Sequence, residues 1–214
     1  MRIVCISDTH NCNEQINVPE GDLLIHSGDA TITGTTEEIR NFTRWFAGLP
    51  HKNKIFVAGN HDWLFEREPR SARQLLDASI IYLQDSAVTI NGFHIYGSPW
   101  QPRFYDWAFN LMRGPELAKK WAMIPEDIDI LITHGPPHGI LDEVPRQWGI
   151  ENTGCEELGK RVDKIASGGR LKLHIFGHIH CGYGTYEKFG VKFINASTCD
   201  EQYKPTQPAI VIDI

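Results

Sequence analysis

Short apolar runs of four or five residues, rich in Ile, Val, Leu and Phe, recur along the chain. Between them lie longer, more polar stretches with apolar residues at helical spacing. The runs Arg2–Ile6, Asp22–His26, Lys54–Ala58, Ile80–Leu83, Ala87–Ile90, Phe93–Tyr96, Asp129–Thr133, Lys172–Phe176, Lys192–Asn195 and Ala209–Ile212 have strand length, and turn residues bound most of them. Asn91-Gly92 separates two runs and predicts a tight hairpin; Phe189-Gly190 predicts another. Four stretches predict helices. Thr36–Ala47 sets Ile39, Phe42 and Phe46 on one face, and Cys155–Ala166 does the same with Leu158, Val162 and Ile165. Ser71–Ala78 and Gly114–Met123 are the others. Early strands alternate with helices and the later part is richer in hairpins, so the pattern predicts an α/β sandwich with mixed sheets. No repeat, low-complexity tract or linker divides residues 1–214, and one domain is expected.

Composition removes several classes of function. Hydrophobic residues make up 41% of the 214 residues and charged residues 22%, the balance of a globular chain. The net charge of −6 is a poor match for duplex nucleic acid or an anionic membrane. The five cysteines are odd in number, widely spaced and free of any C-x-x-C, which argues against a disulfide framework and for a reducing compartment. The opening apolar run, residues 1–7, is too short for a signal peptide, and no stretch approaches the ~20 apolar residues that span a bilayer. The expected address is the cytoplasm. The sequence says nothing about oligomeric state.

The chemistry is concentrated where strands end. One strand runs into Asp8-Thr9-His10, a second into Gly28-Asp29, and a third into Gly59-Asn60-His61-Asp62. Later strands run into Thr133-His134-Gly135 and Gly177-His178-Ile179-His180. Ligands in open α/β sheets bind beyond the carboxyl ends of strands, so all five clusters can meet on one rim. In extended backbone, residues i and i+2 share a side, which would aim Asp8 with His10 and His178 with His180. Gly28, Gly59, Gly135 and Gly177 would let the backbone come close to the donors. Asp8, Asp29, Asn60, His10, His134, His178 and His180 form a mixed N/O donor set. Such a set suits Mn, Fe, Zn, Co or Ni, and it is large enough for two ions sharing one carboxylate. A net positive centre of this kind receives phosphate and hydrolyses its esters. Among the other histidines, only His138 lies close enough in sequence to this rim to be weighed as a pocket residue.

The order D-x-H, G-D, G-N-H-D, T-H-G-P-P, G-H-x-H resembles the calcineurin-like metallophosphoesterase superfamily. The stretches Lys54–Asp62, Gly97–Arg113, Thr133–Pro137, Gly154-Cys155 and His174–Gly184 are similar to its small metallophosphoesterase-domain branch, whose members are related to class III cyclic nucleotide phosphodiesterases. The resemblance implies a four-layer α-β-β-α sandwich with two mixed sheets and a two-metal site at the sheet edges. It implies that Asp8, His10, Asp29 and His180 hold one ion, and Asp29, Asn60, His134 and His178 the other. These would be two divalent or trivalent transition-metal ions, with manganese expected to serve in vitro. Hydroxide shared by the ions would attack phosphorus in line while His61, as general acid, assists the leaving oxygen. In some animal members glycine replaces the first histidine of G-H-x-H; this chain keeps His178. The G-D motif continues here as Ala30-Thr31-Ile32, without the Asp-Arg-Gly that orients the catalytic histidine in phosphoprotein phosphatases. Asp62 is the nearest acid in sequence to orient His61, and it is taken here as part of the catalytic set.

The expected substrate is a small phosphodiester, with a cyclic nucleotide among the possibilities. A phosphomonoesterase and a non-catalytic metal-binding scaffold are the alternatives. Trp100, Arg103 and Arg113 are the expected substrate contacts, in a stretch that also holds Phe104, Tyr105, Trp107 and Phe109. Packing within the loop is the favoured role for Trp107 and Phe109. Trp63 and Phe65 follow the metal motif and are candidates for the pocket wall. Long nucleic acid is not expected, because tracking it takes clustered Lys and Arg.

Overall fold

A computed structural model describes residues 1–214. In chain order the elements are β1 (Arg2–Ile6), β2 (Leu23–His26), α1 (Thr36–Gly48), β3 (Asn53–Phe56), α2 (Trp63–Arg67), α3 (Pro69–Gln74) and β4 (Ile80–Tyr82). They continue with β5 (Ser86–Ile90), β6 (Phe93–Ser98), β7 (Gln101–Pro102), β8 (Asn110–Leu111), α4 (Pro115–Trp121) and β9 (Ile130–Thr133). The last are β10 (Glu143–Arg146), β11 (Gly149–Asn152), α5 (Glu156–Ala166), β12 (Leu173–Phe176), β13 (Gly184–Lys188), β14 (Val191–Asn195) and β15 (Ile210–Asp213).

Two mixed sheets face each other. The first runs β15-β1-β2-β3-β4, parallel except for β15, which pairs antiparallel with β1. The second runs β13-β14-β12-β9-β6-β5, with a parallel centre and an antiparallel hairpin at each edge. Alternate residues of each central strand go to different layers, as the two-residue period of a strand requires. In β1, Ile3 and Cys5 join the core between the sheets, while Val4 and Ile6 face α1. In β12, Leu173 and Ile175 join the same inter-sheet core, while Phe176 packs with α4 and α5. Helix α1 contributes Ile39, Phe42 and Phe46 to one outer layer; α5 contributes Leu158, Val162 and Ile165 to the other. The result is a helix–sheet–sheet–helix sandwich whose central strands are apolar on both faces. No helix is long and apolar enough to cross a membrane.

Both predicted hairpin turns form. Asn91 and Gly92 have φ of 51° and 83°, and Phe189 and Gly190 have 54° and 74°, the double left-handed pattern that matches strand twist. The third helix differs from expectation, running Pro69–Gln74 instead of Ser71–Ala78, because Pro69 at its first turn has φ preset for a helix start. Helix α2 and the β10–β11 ribbon carry no strong periodic signal and were not expected. Phe65 of α2 is buried in the outer core rather than at a pocket.

Candidate metal centre and its cleft

The parallel strands β1, β2 and β3 of one sheet and β9 and β12 of the other end on a common rim. A parallel bridge between Ser7 and Ser197 joins the sheets there. The predicted donors converge. His180 Nε2 lies 3.4 Å and His10 Nε2 4.0 Å from Asp8 Oδ1. His10 Nε2 is 3.9 Å and His134 Nε2 3.4 Å from Asp29 Oδ2. Asn60 Oδ1 is 2.9 Å from His134 Nε2. Three overlapping groups have donor atoms within 4.8 Å of one another: Asp8, His10 and His180; His10, Asp29 and His61; and Asp29, His134 and His178. Asp29 is common to two of them.

The local backbone is not the extended one the i, i+2 spacing suggested. Asp8, His10, Asp29 and His178 have φ of 52°, 41°, 55° and 70°. Each left-handed non-glycine residue costs about 1–2 kcal/mol. Specific bonds hold the strain: Asp8 N–H donates to Gly28 O at 2.8 Å, and His10 N–H to Asp29 O at 3.1 Å. His178 N–H donates to the Asp8 carboxylate at 3.0 Å, and Ser197 Oγ donates to it at 3.0 Å. The glycine argument holds at Gly59 and Gly177. A Cβ on Gly59 would sit 2.2 Å from Asp29 Oδ1, and one on Gly177 2.0 Å from Asp8 Oδ2. It does not hold at Gly135, where the nearest atoms would be 3.8 Å away.

The groups that hold the donor rings also fit a metal. Backbone carbonyls hold Nδ1 of four rings: Thr31 O for His10 (3.3 Å), Ile32 O for His61 (2.7 Å), Ser27 O for His134 (3.0 Å) and Asp200 O for His180 (2.8 Å). A carbonyl oxygen can only accept, so each ring carries a proton on Nδ1 and turns Nε2 toward the centre, as metal-ligating histidines do. His10 and His180 bring their Nε2 atoms to 3.3 Å from each other. Electrostatics agree. Burial would raise Asp8 and Asp29, but the neighbouring histidines outweigh it and both carboxyls stay well below the usual range. Burial lowers His10 to about 4 and His178 to about 3, so both rings are neutral at neutral pH, the form a metal ligand requires. Burial also opposes charge on His134 and His180, yet their carboxylate partners raise each to about 9. Protons on these two rings are what incoming cations displace.

Some assignments need correcting. Asp62 does not orient His61. Its fully buried carboxylate accepts from Gly59 N, Ala30 N, Thr31 N and Thr31 Oγ1, tying the β2 and β3 loops together. Burial, with the charge of Asp29, raises it to about 6. His61 is instead held by Ile32 O, and its own N–H donates to Asp29 Oδ1 at 2.8 Å. Trp100 does not reach the cleft. Its indole N–H donates to Asp85 at 2.8 Å, Lys120 Nζ stands 4.1 Å from its ring centroid, and it packs against both outer cores. Arg113 lines the cleft, but its guanidinium is spent on Thr153 O, Gly154 O and Glu156, so it braces the wall. His138 is 3.7 Å from the Asp142 carboxylate and is not part of the lining.

A cleft of about 470 Å³ opens over Asp29, Asn60, His61, His178 and His180. Arg103, Phe104, Trp107 and Tyr203 line its outer part, with Val144, Arg146 and Glu151 of the β10–β11 ribbon. Trp107 lies on the His61 ring with centroids 4.1 Å apart, a cleft role in place of the packing expected for it. Phe109 is buried, as expected. Tyr203 packs its ring 4.7 Å from His10 and 5.5 Å from His180. Nothing in the sequence around Tyr203 singles it out.

Two mixed sheets between helical layers, with carboxylate and imidazole donors gathered at the strand ends, define the class of metallophosphoesterases. The family model of the calcineurin-like phosphoesterases matches residues 1–182, and the chain belongs to that family. It is 45% identical over 235 residues to the human Metallophosphoesterase domain-containing protein 1, covering 100% of this chain and 71% of the relative, and equally similar to the mouse protein. It is 39% identical over 214 residues to UPF0046 protein K07C11.7 of Caenorhabditis elegans, covering 94% of this chain and 71% of the relative.

Proposed function

We propose that the chain is a dinuclear-metal phosphodiesterase for a small organic phosphoester. Asp8, His10, Asp29 and His180 hold one ion, and Asp29, Asn60, His134 and His178 the other. Mn, Fe, Zn, Co and Ni all suit this mixed donor set, with Mn the first to supply in vitro. Two such ions, when bound, acidify water and neutralise charge on a phosphoryl group during in-line displacement. The observation that carries this reading is the ring of backbone carbonyls on Nδ1 of His10, His134 and His180, which commits each Nε2 to the centre.

The chain's own residues supply the rest. His61 is fixed by Ile32 O, its backbone link to Asp29 and the Trp107 face; in its imidazolium form, with protons on both ring nitrogens, it gives the Nε2 proton to the departing oxygen and returns to the neutral ring with Nδ1–H still on Ile32 O. Trp107, Phe104 and Tyr203 suit a flat organic substituent, and Arg103 a negative charge on it. Room for a sizeable ester group beyond the donors favours a diester. Five free cysteines suit a reducing compartment such as the cytoplasm. The test is hydrolysis of bis- against mono-(p-nitrophenyl) phosphate with added Mn, in ¹⁸O-water. Faster diester turnover with one solvent oxygen in the product is expected. A trapped phosphoenzyme refutes the mechanism, and monoester preference refutes the substrate class.

A further inference from the structure

Glu38 lies in the first turn of α1, outside the cleft, and its side chain does far more than cap a helix. The capping box needs only Thr35, whose N–H and Oγ1 both donate to Glu38 Oε2 at 2.8 Å, with Glu38 N–H donating back to Thr35 Oγ1. Four further donors reach the same carboxylate. Asn11 Nδ2 donates to Oε1 at 2.7 Å, Ile32 N–H and Thr33 N–H to Oε1 at 3.2 Å each, and Thr33 Oγ1 to Oε2 at 2.7 Å.

These donors sit beside the groups that orient the site. Asn11 directly follows His10. Thr31 and Ile32 carry the carbonyls that hold Nδ1 of His10 and of His61. Glu38 thus ties three things together: the segment leaving His10, the peptide whose carbonyls orient two imidazoles, and the start of a packed helix. From this we infer that Glu38 is a positioning residue for His10 and His61, fixing both rings through the 31–33 backbone. The inference rests on the roles given above to those two histidines. A carboxylate that collects six hydrogen bonds has no lone pair to spare, so losing its charge loosens every arm at once.

The test compares Glu38→Gln, Asn11→Gly and Thr35→Ala in the full chain. Asn11→Gly deletes the donor next to His10 and accommodates the positive φ of 64° without strain. Thr35→Ala removes the cap hydroxyl and leaves the Asn11 and Ile32 arms in place. Three readouts are taken: ring-nitrogen NMR of the metal-free chain, Mn content after loading, and kcat and KM on bis-(p-nitrophenyl) phosphate. In the unaltered chain both rings show the Nδ1–H tautomer. Glu38→Gln shifts His10 and His61 toward mixed tautomers and lowers kcat or Mn affinity by about 10- to 100-fold, the usual scale for outer-shell partners. Asn11→Gly disturbs His10 alone. Thr35→Ala lowers the melting temperature but leaves the ring signals and kcat near those of the unaltered chain.

Unaltered tautomers and kcat in Glu38→Gln would overturn the inference. So would a Thr35→Ala variant that loses as much as Glu38→Gln, because stability alone would then account for the effect. A chain inactive on every phosphoester, yet with tautomers that respond to Glu38→Gln, would refute the phosphodiesterase and leave the positioning role standing.

Discussion

Gly59→Ala isolates a close approach between the β3 loop and Asp29 in the metal centre. Gly59 needs no left-handed backbone, so an alanine there meets only steric cost. Its Cβ would lie 2.2 Å from Asp29 Oδ1, 2.4 Å from Asp29 N and 2.6 Å from His134 Cε1. One obstacle is main chain and another is a ring carbon of a buried histidine whose Nδ1 is held by Ser27 O, so neither swings away cheaply. Overpacking of this kind costs about 1–3 kcal/mol. Displacing Asp29 Oδ1 also breaks its bond from His61 N–H, and a hydrogen bond to a charged group is worth about 1.5–3 kcal/mol. A loss of about 2.5–6 kcal/mol follows, and at ~2–4 °C per kcal/mol for a chain of this size the melting temperature falls by roughly 5–24 °C. Gly135→Ala is the control. It adds the same methyl beside the same cleft, but its nearest neighbours, Gln101 Cβ and His178 Cδ2, are at 3.8 Å, ordinary contact. Thermal melts and Mn content of both variants decide the matter. Gly59→Ala should melt early and bind less metal, while Gly135→Ala should do neither. If Gly59→Ala loads and melts like the unaltered chain, the close approach of the β3 loop to Asp29 is not what builds the site.

Three other outcomes are expected. Asp29→Ala should lower Mn content more than any other single donor change, because Asp29 is the one donor that both proposed ions would share; His61→Ala should lower kcat and keep the metal, and metal analysis separates the two roles. Trp107→Ala should raise KM for an aryl phosphodiester, whereas Trp100→Phe, which deletes the indole bond to Asp85 and part of the ring packed on the outer cores, should lower the melting temperature and leave KM alone. Glu38 should mark the acid limb of stability. Burial would raise its carboxyl, but bonds from Thr35, Thr33 and Asn11 hold it at about 2 against an ordinary 4.5. A carboxyl depressed by folding stabilises above its ordinary value, so this contribution fades as pH falls from 4.5 toward 2, and acid titration of Glu38→Gln by circular dichroism should lack that component.

The strands and the donors were legible because each rests on a local rule. A run such as Ile3–Ile6 fits only a strand covered on both faces, and His178 and His180 follow such a strand with complementary chemistry. What orients the donors was not legible. Ile32 holds His61 through its carbonyl, an atom every residue has, so no side chain advertises the role. Asp62 misled for the same reason, since its partners are mostly backbone amides from loops that only the fold brings near. Trp100 and Trp107 sit in one aromatic stretch and are indistinguishable by composition. The Asp85–Lys120 pair draws the first inward, and that pair spans 35 residues of chain. The β10–β11 ribbon escaped notice because its exposed strands bury too little to impose an alternating pattern.

The site also has a consequence for the stability of the whole sandwich. Asp8, His10, Asp29 and Asn60 follow strands of the first sheet, and His134, His178 and His180 follow strands of the second. Each proposed ion takes ligands from both, so bound metal clamps the rims of two sheets that otherwise meet through an apolar core. Binding to the folded chain alone stabilises it by about 2.7 kcal/mol for one ion at a hundred times its dissociation constant. At ~2–4 °C per kcal/mol, one such ion raises the melting temperature by roughly 5–10 °C, and two raise it further. Melts with Mn and after exhaustive chelation read this directly. The rise should disappear in Asp29→Ala, whose carboxylate both proposed ions would share. A melting temperature indifferent to Mn in a chain that demonstrably binds it would mean that the ions bind folded and unfolded chain alike, and the folded arrangement of donors around Asp29 would not be what holds them.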